Sequence, residues 1–211
     1  MDLQKDKERL FDYLKTQIAN KQVIEAMLRV PRELFIPEQL ASHAYDDRPV
    51  SIGYGQTISQ PYIVALMTQA LDISKDDKVL EVGTGRGYQT AILAELASMV
   101  ISIERIPQLV TEAEKILKKL GYNNIHIHLS TGKLGWEKGS PYQAIMVTAA
   151  APHIPEALVK QLAVGGRMVI PVGSRWEQEL ILLKRGESQN VVNNLGFCRF
   201  VPLIGEDAWD E

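Results

Sequence analysis

The ten residues Val79-Leu80-Glu81-Val82-Gly83-Thr84-Gly85-Arg86-Gly87-Tyr88 constrain this chain more than any other segment. A short apolar run breaks into three alternating glycines and then opens a helix-compatible stretch from Tyr88. Glycine at these places lets the backbone turn sharply and lets a ligand approach where a Cβ would stand in the way. A strand, a glycine turn and a helix make the first part of a βαβ unit, and the chain beyond keeps the same rhythm. Strands are predicted at residues 78–82, 100–104, 125–129, 144–148 and 167–172, with helices at 88–96, 107–120 and 155–162. Such alternation implies parallel pairing through right-handed crossovers and a sheet covered on both faces. Two more strands, 179–184 and 198–203, joined through the polar stretch 186–194, predict an antiparallel finish.

Before residue 60 the pattern differs. Leu3, Leu10, Phe11, Leu14 and Ile18 recur mostly at three- and four-residue steps, which predicts an amphipathic helix. A second helix over 21–29 stops at Pro31, and residues 31–60 are rich in turn formers with little periodicity. An irregular stretch of about thirty residues beside a compact core is uncommon unless it is functional. Residues 1–60 therefore read as an N-terminal helical and loop layer, 61–175 as the α/β core and 176–211 as C-terminal strands, all within one domain of 211 residues. Inside the layer, residues 52–61 (IGYGQTISQP) read as a shaped loop. They read equally as a helix start, with Ser59 capping and Pro61 in the first turn; the two readings are compatible.

Composition narrows the function. The chain carries 23 Lys and Arg against 26 Asp and Glu, a net charge of −3, which disfavours a surface built to neutralise a phosphate backbone. Its single cysteine, Cys198, excludes an intrachain disulfide and a multi-cysteine zinc site, and fits a reducing compartment. Met1 to Arg9 lacks the apolar stretch of a secretion signal, and no apolar run approaches the ~18 residues that span a bilayer. The expectation is a cytoplasmic monomer with no nucleic-acid partner, no membrane partner and no metal site.

The glycine loop carries chemistry only in context. Its spacing is Gly-x-Gly-x-Gly, not the Gly-x-Gly-x-x-Gly of the dinucleotide fingerprint, which disfavours a nicotinamide cofactor. Glu81 precedes the loop on its strand, and Glu104 ends the next strand about twenty residues on, where a carboxylate can accept from the ribose hydroxyls of a nucleoside. Acid, glycine loop and acid in this order look like the S-adenosylmethionine site of Rossmann-like methyltransferases. That ligand has no pyrophosphate and needs no long phosphate cradle.

Further segments sharpen the likeness. VPRELF at 30–35, GYGQTISQP at 53–61, VLEVGTGRGYQTAILA at 79–94, SIERI at 102–106, VTAAAPHIP at 147–155, GGRMVIPVG at 165–173 and RFVPL at 199–203 together resemble the protein-L-isoaspartate (D-aspartate) O-methyltransferase family, in its order and spacing. The resemblance implies a mostly parallel α/β sheet with helices on both faces and an added N-terminal helical layer. It implies transfer of the methyl of S-adenosylmethionine to the α-carboxylate of L-isoaspartyl residues in damaged peptides and proteins. It also implies Ser59 as the active-site residue and Thr57, Ile58, Val147 and Thr148 around the substrate. Glu81, Gly83, Thr84, Gly85, Gly87, Glu104, Arg105, Thr131 and Gly132 would lie around the cofactor.

This chain departs from the family pattern in places. Ser130-Thr131-Gly132 stands where Gly-Asp-Gly is usual, so the adenine amino group loses a charged acceptor, worth about 1.5–3 kcal/mol. Arg86 occupies a loop position where small residues are common, and a bulky cation beside a cationic sulfonium is unhelpful unless it points outward. Two alternatives stay open at the level of sequence: a non-catalytic or weakly active relative with an altered cofactor site, and a methyltransferase for another carboxylate acceptor. The acceptor itself needs no strong base, because a carboxylate with a pKa near 4 is already a nucleophile at neutral pH. Thr148 and, less directly, Arg199 are candidates to bind its second oxygen.

Overall fold

The computed structural model describes residues 2–210. Two capped helices open the chain. Asp2 accepts from the Lys5 N–H at the start of α1 (Leu3–Gln17), and Asn20 accepts from Gln22 and Val23 at the start of α2 (Lys21–Arg29). Such side-chain caps satisfy first-turn N–H groups that no helical carbonyl can reach. Short 3-10 turns follow at Arg32–Phe35 and Glu38–His43.

A small hairpin of β1 (Val50–Gly53) and β2 (Gln56–Ile58) then turns at Tyr54 and Gly55, both at positive φ (53° and 70°). Two positive-φ residues make a turn whose twist matches that of paired strands. The sequence suggests only a loop here, because strands of four and three residues are too short to show alternation. Helix α3 (Pro61–Leu71) starts at Pro61, but its N-cap residue is Gln60, whose own side chain makes no cap; Asp47 accepts from the Tyr62 N–H at 2.8 Å instead. The capping role expected of Ser59 is therefore not realised.

The core runs β3 (Lys78–Val82), α4 (Tyr88–Leu96), β4 (Met99–Glu104), α5 (Pro107–Lys119), β5 (Ile125–Leu129), β6 (Tyr142–Val147), α6 (Glu156–Gln161), β7 (Leu162–Gly173), β8 (Gln178–Lys184) and β9 (Val191–Cys198). The seven strands lie in the order β5-β4-β3-β6-β7-β8-β9, parallel through β7 and antiparallel for β8 and β9. The sheet is α/β and mostly parallel, with helices on both faces, as expected. Succession runs outward from β3 to β4 and β5 on one side and from β6 to β7 on the other. Their shared carboxyl ends form the switch point where open α/β sheets bind ligands.

Strand β9 corrects the expectation of a strand at 198–203. Its residues are almost all exposed on the sheet's outer edge, so no burial alternation marks them. Residues 199–203 instead form a strap, tied by the Leu203 N–H to the Ala150 carbonyl at 2.8 Å and by a bridge between Ala150 and Pro202.

The N-terminal layer buries Leu10, Phe11, Leu14, Met27 and Phe35 against Tyr88 and Ile92 of α4 and Leu109 and Leu117 of α5. On the opposite face, Leu80, Val82, Ile145 and Met168 pack with Leu158 of α6. Among the described residues no helix is long and apolar enough to cross a membrane.

Candidate functional site

Beyond the carboxyl ends of β3, β4 and β6 the chain forms an open cleft. Its wall includes Gly83, Gly85, Ile103, Glu104, Arg105, Ser130, Lys133 and Thr148, with the 201–204 strap opposite. The Gly83 N–H donates to the Ile103 carbonyl at 2.8 Å, which ties the loop to the neighbouring strand. At Gly83 (φ +104°) a Cβ would fall 2.2 Å from Thr148 Oγ1, so only glycine fits.

Glu104 faces this cleft from the end of β4. Its Oε2 accepts from the Gly85 N–H at 2.8 Å, and its Oε1 accepts from the Arg105 and Ile106 N–H groups at 2.8 and 3.0 Å. A carboxylate oxygen carries two acceptor sites, so Oε2 retains one for a ligand hydroxyl.

Glu81 behaves differently. It is fully buried and does not reach the cleft wall, contrary to the direct ligand role expected of it. Its Oε2 accepts from Thr90 at 2.5 Å and from Ser102 at 2.6 Å, while the Thr84 and Ser102 hydroxyls lie 2.6 Å apart. With the Ser102 proton committed to Glu81, Thr84 donates to Ser102. A hydroxyl chain thus runs from the glycine loop to the acid beneath it. Burial is the main cause that pushes the Glu81 carboxyl up to about 8, with Glu104 adding to the rise and the two hydroxyl donors opposing it.

The structure distributes the other predicted cofactor residues unevenly. Thr84 lines a smaller void of about 410 Å³ between the glycine loop and the hairpin, together with Ile58 and Ser59. Gly87 (φ +96°) begins α4, and a Cβ there would lie 3.0 Å from Leu117, so its role is close packing against α5 rather than ligand contact. Thr131 is exposed and off the cleft wall, as is Gly132, whose carbonyl accepts from the Glu206 N–H at 2.9 Å. Their neighbour Ser130 is on the wall instead. Arg86 turns away from the cleft to pair with Glu112 at 2.9 Å.

On the other side of Thr148 a second cavity of about 650 Å³ is lined by Thr57, Ser59, Gln60, Phe197, Arg199 and Val201, among others. Arg199 is its one charged lining residue, and among the described residues its guanidinium has no partner. Phe197, at the mouth, is 75% exposed. Thr57 and Thr148 line both cavities, so the two spaces meet there, with Ser59 alongside.

Thr148 Oγ1 donates to the Gly83 carbonyl at 2.7 Å, with the Val82 carbonyl also in reach at 3.0 Å. Its single proton is therefore committed, and it serves as a partition strut rather than the carboxylate donor expected from sequence. The Ser59 hydroxyl has no partner among the described residues. Val147 is buried in the core and faces neither cavity. Sequence reasoning misses the strap's contribution except at Arg199. The RFVPL segment carries the signal, but its apolar content resembles that of a strand.

Comparison with known proteins agrees across the chain. The family model described as protein-L-isoaspartate(D-aspartate) O-methyltransferase matches residues 4–208. The protein-L-isoaspartate O-methyltransferase of Syntrophus aciditrophicus (strain SB) is 55% identical over 195 residues, covering 91% of this chain and 89% of the relative. That of Dictyoglomus thermophilum is 50% identical over 206 residues, covering 97% and 94%. Among solved structures, a protein-L-isoaspartate O-methyltransferase superposes with a TM-score of 0.84 at 29% identity, covering 96% of this chain and 67% of the other. A Plasmodium falciparum protein-L-isoaspartate O-methyltransferase in complex with S-adenosyl-L-homocysteine gives 0.80 at 27% identity, covering 92% and 96%.

Proposed function

We propose, from the premise that this chain belongs to the protein-L-isoaspartate(D-aspartate) O-methyltransferase family, that it methylates the free α-carboxylate of L-isoaspartyl residues in damaged peptides and proteins. The observation that carries this reading is the meeting of the two cavities at Thr57, Thr148 and Val201, with Ser59 on the acceptor side. One side suits a methyl donor and the other an anionic acceptor.

The residues of the cleft fit S-adenosylmethionine. An acceptor-only carboxylate, Glu104, stands on the wall where ribose hydroxyls need one, and Gly83 and Gly85 bring the loop to the same wall. Arg86, the loop's own cation, is paired with Glu112, which offsets its charge. We assign Gly83, Gly85, Glu104 and Arg105 to direct contact, with Glu81 and Thr84 as support from beneath. When bound, S-adenosylmethionine supplies a methyl group activated by a positively charged sulfur.

The chain's own work is alignment and exclusion of water. The acceptor carboxylate is ionised at neutral pH and needs no general base. Holding reacting groups in register contributes several kcal/mol of barrier reduction without any proton transfer. Arg199 supplies the positive charge of the acceptor cavity, and guanidinium forks suit carboxylates. The uncommitted Ser59 hydroxyl donates to the same carboxylate and orients it. Phe197 and Val201 give the cavity apolar wall.

The test is methyl transfer from labelled S-adenosylmethionine to two matched short peptides, one with L-isoaspartate and one with aspartate. Selective labelling of the isoaspartyl peptide is expected. Equal labelling would mean another carboxylate acceptor, and labelling of neither would overturn the reading.

A further inference from the structure

Arg32 is a fully buried charge to which the chemistry of the two cavities gives no task. It opens the 3-10 turn after Pro31, in the N-terminal layer. Its Nε donates to the Ala44 carbonyl at 2.8 Å and its Nη2 donates to the Ser59 carbonyl at 2.8 Å. The guanidinium lies 4.8 Å from the centre of the Tyr88 ring, and Nη1 is buried without a partner.

Among the described residues no carboxylate pairs with it. Nearby Glu33 accepts from the Tyr45 hydroxyl, and Asp47 accepts from Gln60 and the Tyr62 N–H. Burying a cation without a countercharge is costly, so what it holds in place matters. What Arg32 holds is a main-chain carbonyl in the two-residue link between β2 and α3, beside the helix start whose Tyr62 N–H is held by Asp47.

We propose that Arg32 is a positioning residue for the acceptor: through the Ser59 carbonyl it fixes the peptide unit from which the Ser59 hydroxyl projects. The inference rests on Ser59 orienting the acceptor carboxylate. Arg32 bridges the layer to the site in one step. Its Ala44 contact anchors the guanidinium on the layer side and its Ser59 contact on the site side. The ring of Tyr88, at the first turn of α4, fixes the plane of the fork, so the same group also registers the link against the glycine loop.

A double-mutant cycle with Arg32→Lys and Ser59→Ala tests this, because residues acting as a unit are non-additive. Arg32→Lys keeps the charge but loses the two-pronged fork. The expected result is a kcat lowered about 10- to 100-fold, with S-adenosylhomocysteine affinity within about twofold of wild type. In the Ser59→Ala background the same change should cost less than about threefold.

Hydrogen exchange supplies a readout that needs no turnover. Arg32→Lys should speed exchange in residues 56–60 while leaving the β3 to β6 core protected. If Arg32→Lys fails to fold, Arg32→Gln enters the same cycle and reads the same way. An equal loss of kcat in both backgrounds would overturn the proposal, as would unchanged exchange at 56–60. If the wild-type protein methylates no isoaspartyl peptide, the functional reading falls, and exchange alone decides whether Arg32 holds the link.

Discussion

Glu81 and Glu104 sit on adjacent parallel strands, yet their surroundings give them different work. Glu104 meets three main-chain N–H groups at the cleft wall and keeps acceptor capacity for a ligand. Replacing it with alanine removes a charged acceptor, worth about 1.5–3 kcal/mol, so S-adenosylhomocysteine affinity measured by calorimetry should fall roughly ten- to hundredfold. Thr131→Ala should change the same affinity by less than about threefold, because the Thr131 side chain is exposed and off the wall. Both acids and the glycines between them are legible in the sequence. That Glu81 faces inward is not, because it depends on the register that sets Glu81 beside Ser102 on β4. Thr148 is legible as a candidate in the sequence, but the commitment of its proton to the loop carbonyls belongs to geometry alone.

At the scale of elements, two glycines at positive φ make contrasting predictions. Gly83→Ala would drive a methyl into Thr148 Oγ1, moving both the loop and the partition between the cavities. Cofactor affinity should drop more than about tenfold, together with a loss of stability of about 1–3 kcal/mol. At Gly55, in the hairpin turn, nothing lies within 4 Å of the place a Cβ would occupy, so alanine there meets only backbone strain of about 1–2 kcal/mol. Thermal unfolding and calorimetry on the two variants separate the cases. The parallel core is readable because its strands are apolar runs set between periodic helices. The β1–β2 hairpin and β9 are not, since one is too short for a pattern and the other lies exposed on the edge of the sheet. The strap at 199–203 looks like a strand in sequence because its apolar residues face the cavities rather than a neighbouring strand.

For the whole molecule, the buried Glu81 couples stability to pH. Its carboxyl is raised from 4.5 to about 8 in the folded chain, so between those values the folded state holds a proton that the unfolded state releases. Stability is therefore greatest on the acid side of this window and falls as pH rises through it, by at most about 1.4 kcal/mol per pH unit from this group. Glu81→Gln should flatten that slope. Its melting temperature should exceed wild type at pH 7.5 and approach it near pH 4.5, and a variant that melts lower at both would refute the assignment. The division into an N-terminal layer and an α/β core is visible in the change of period near residue 60. That the layer reaches into the site through Arg32 is not, because a lone arginine in a turn carries no periodic signal.

Methyl donor and acceptor, on this account, occupy two cavities that meet at Thr57, Thr148 and Val201, with Ser59 on the acceptor side. A crystal structure with S-adenosylhomocysteine and an isoaspartyl peptide bound together tests that arrangement most directly. The account predicts the ribose at Glu104, and the α-carboxylate within hydrogen-bond reach of the Ser59 hydroxyl and the Arg199 guanidinium. A peptide seated away from the cavity between Ser59 and Phe197, or a carboxylate touching neither Ser59 nor Arg199, would contradict it.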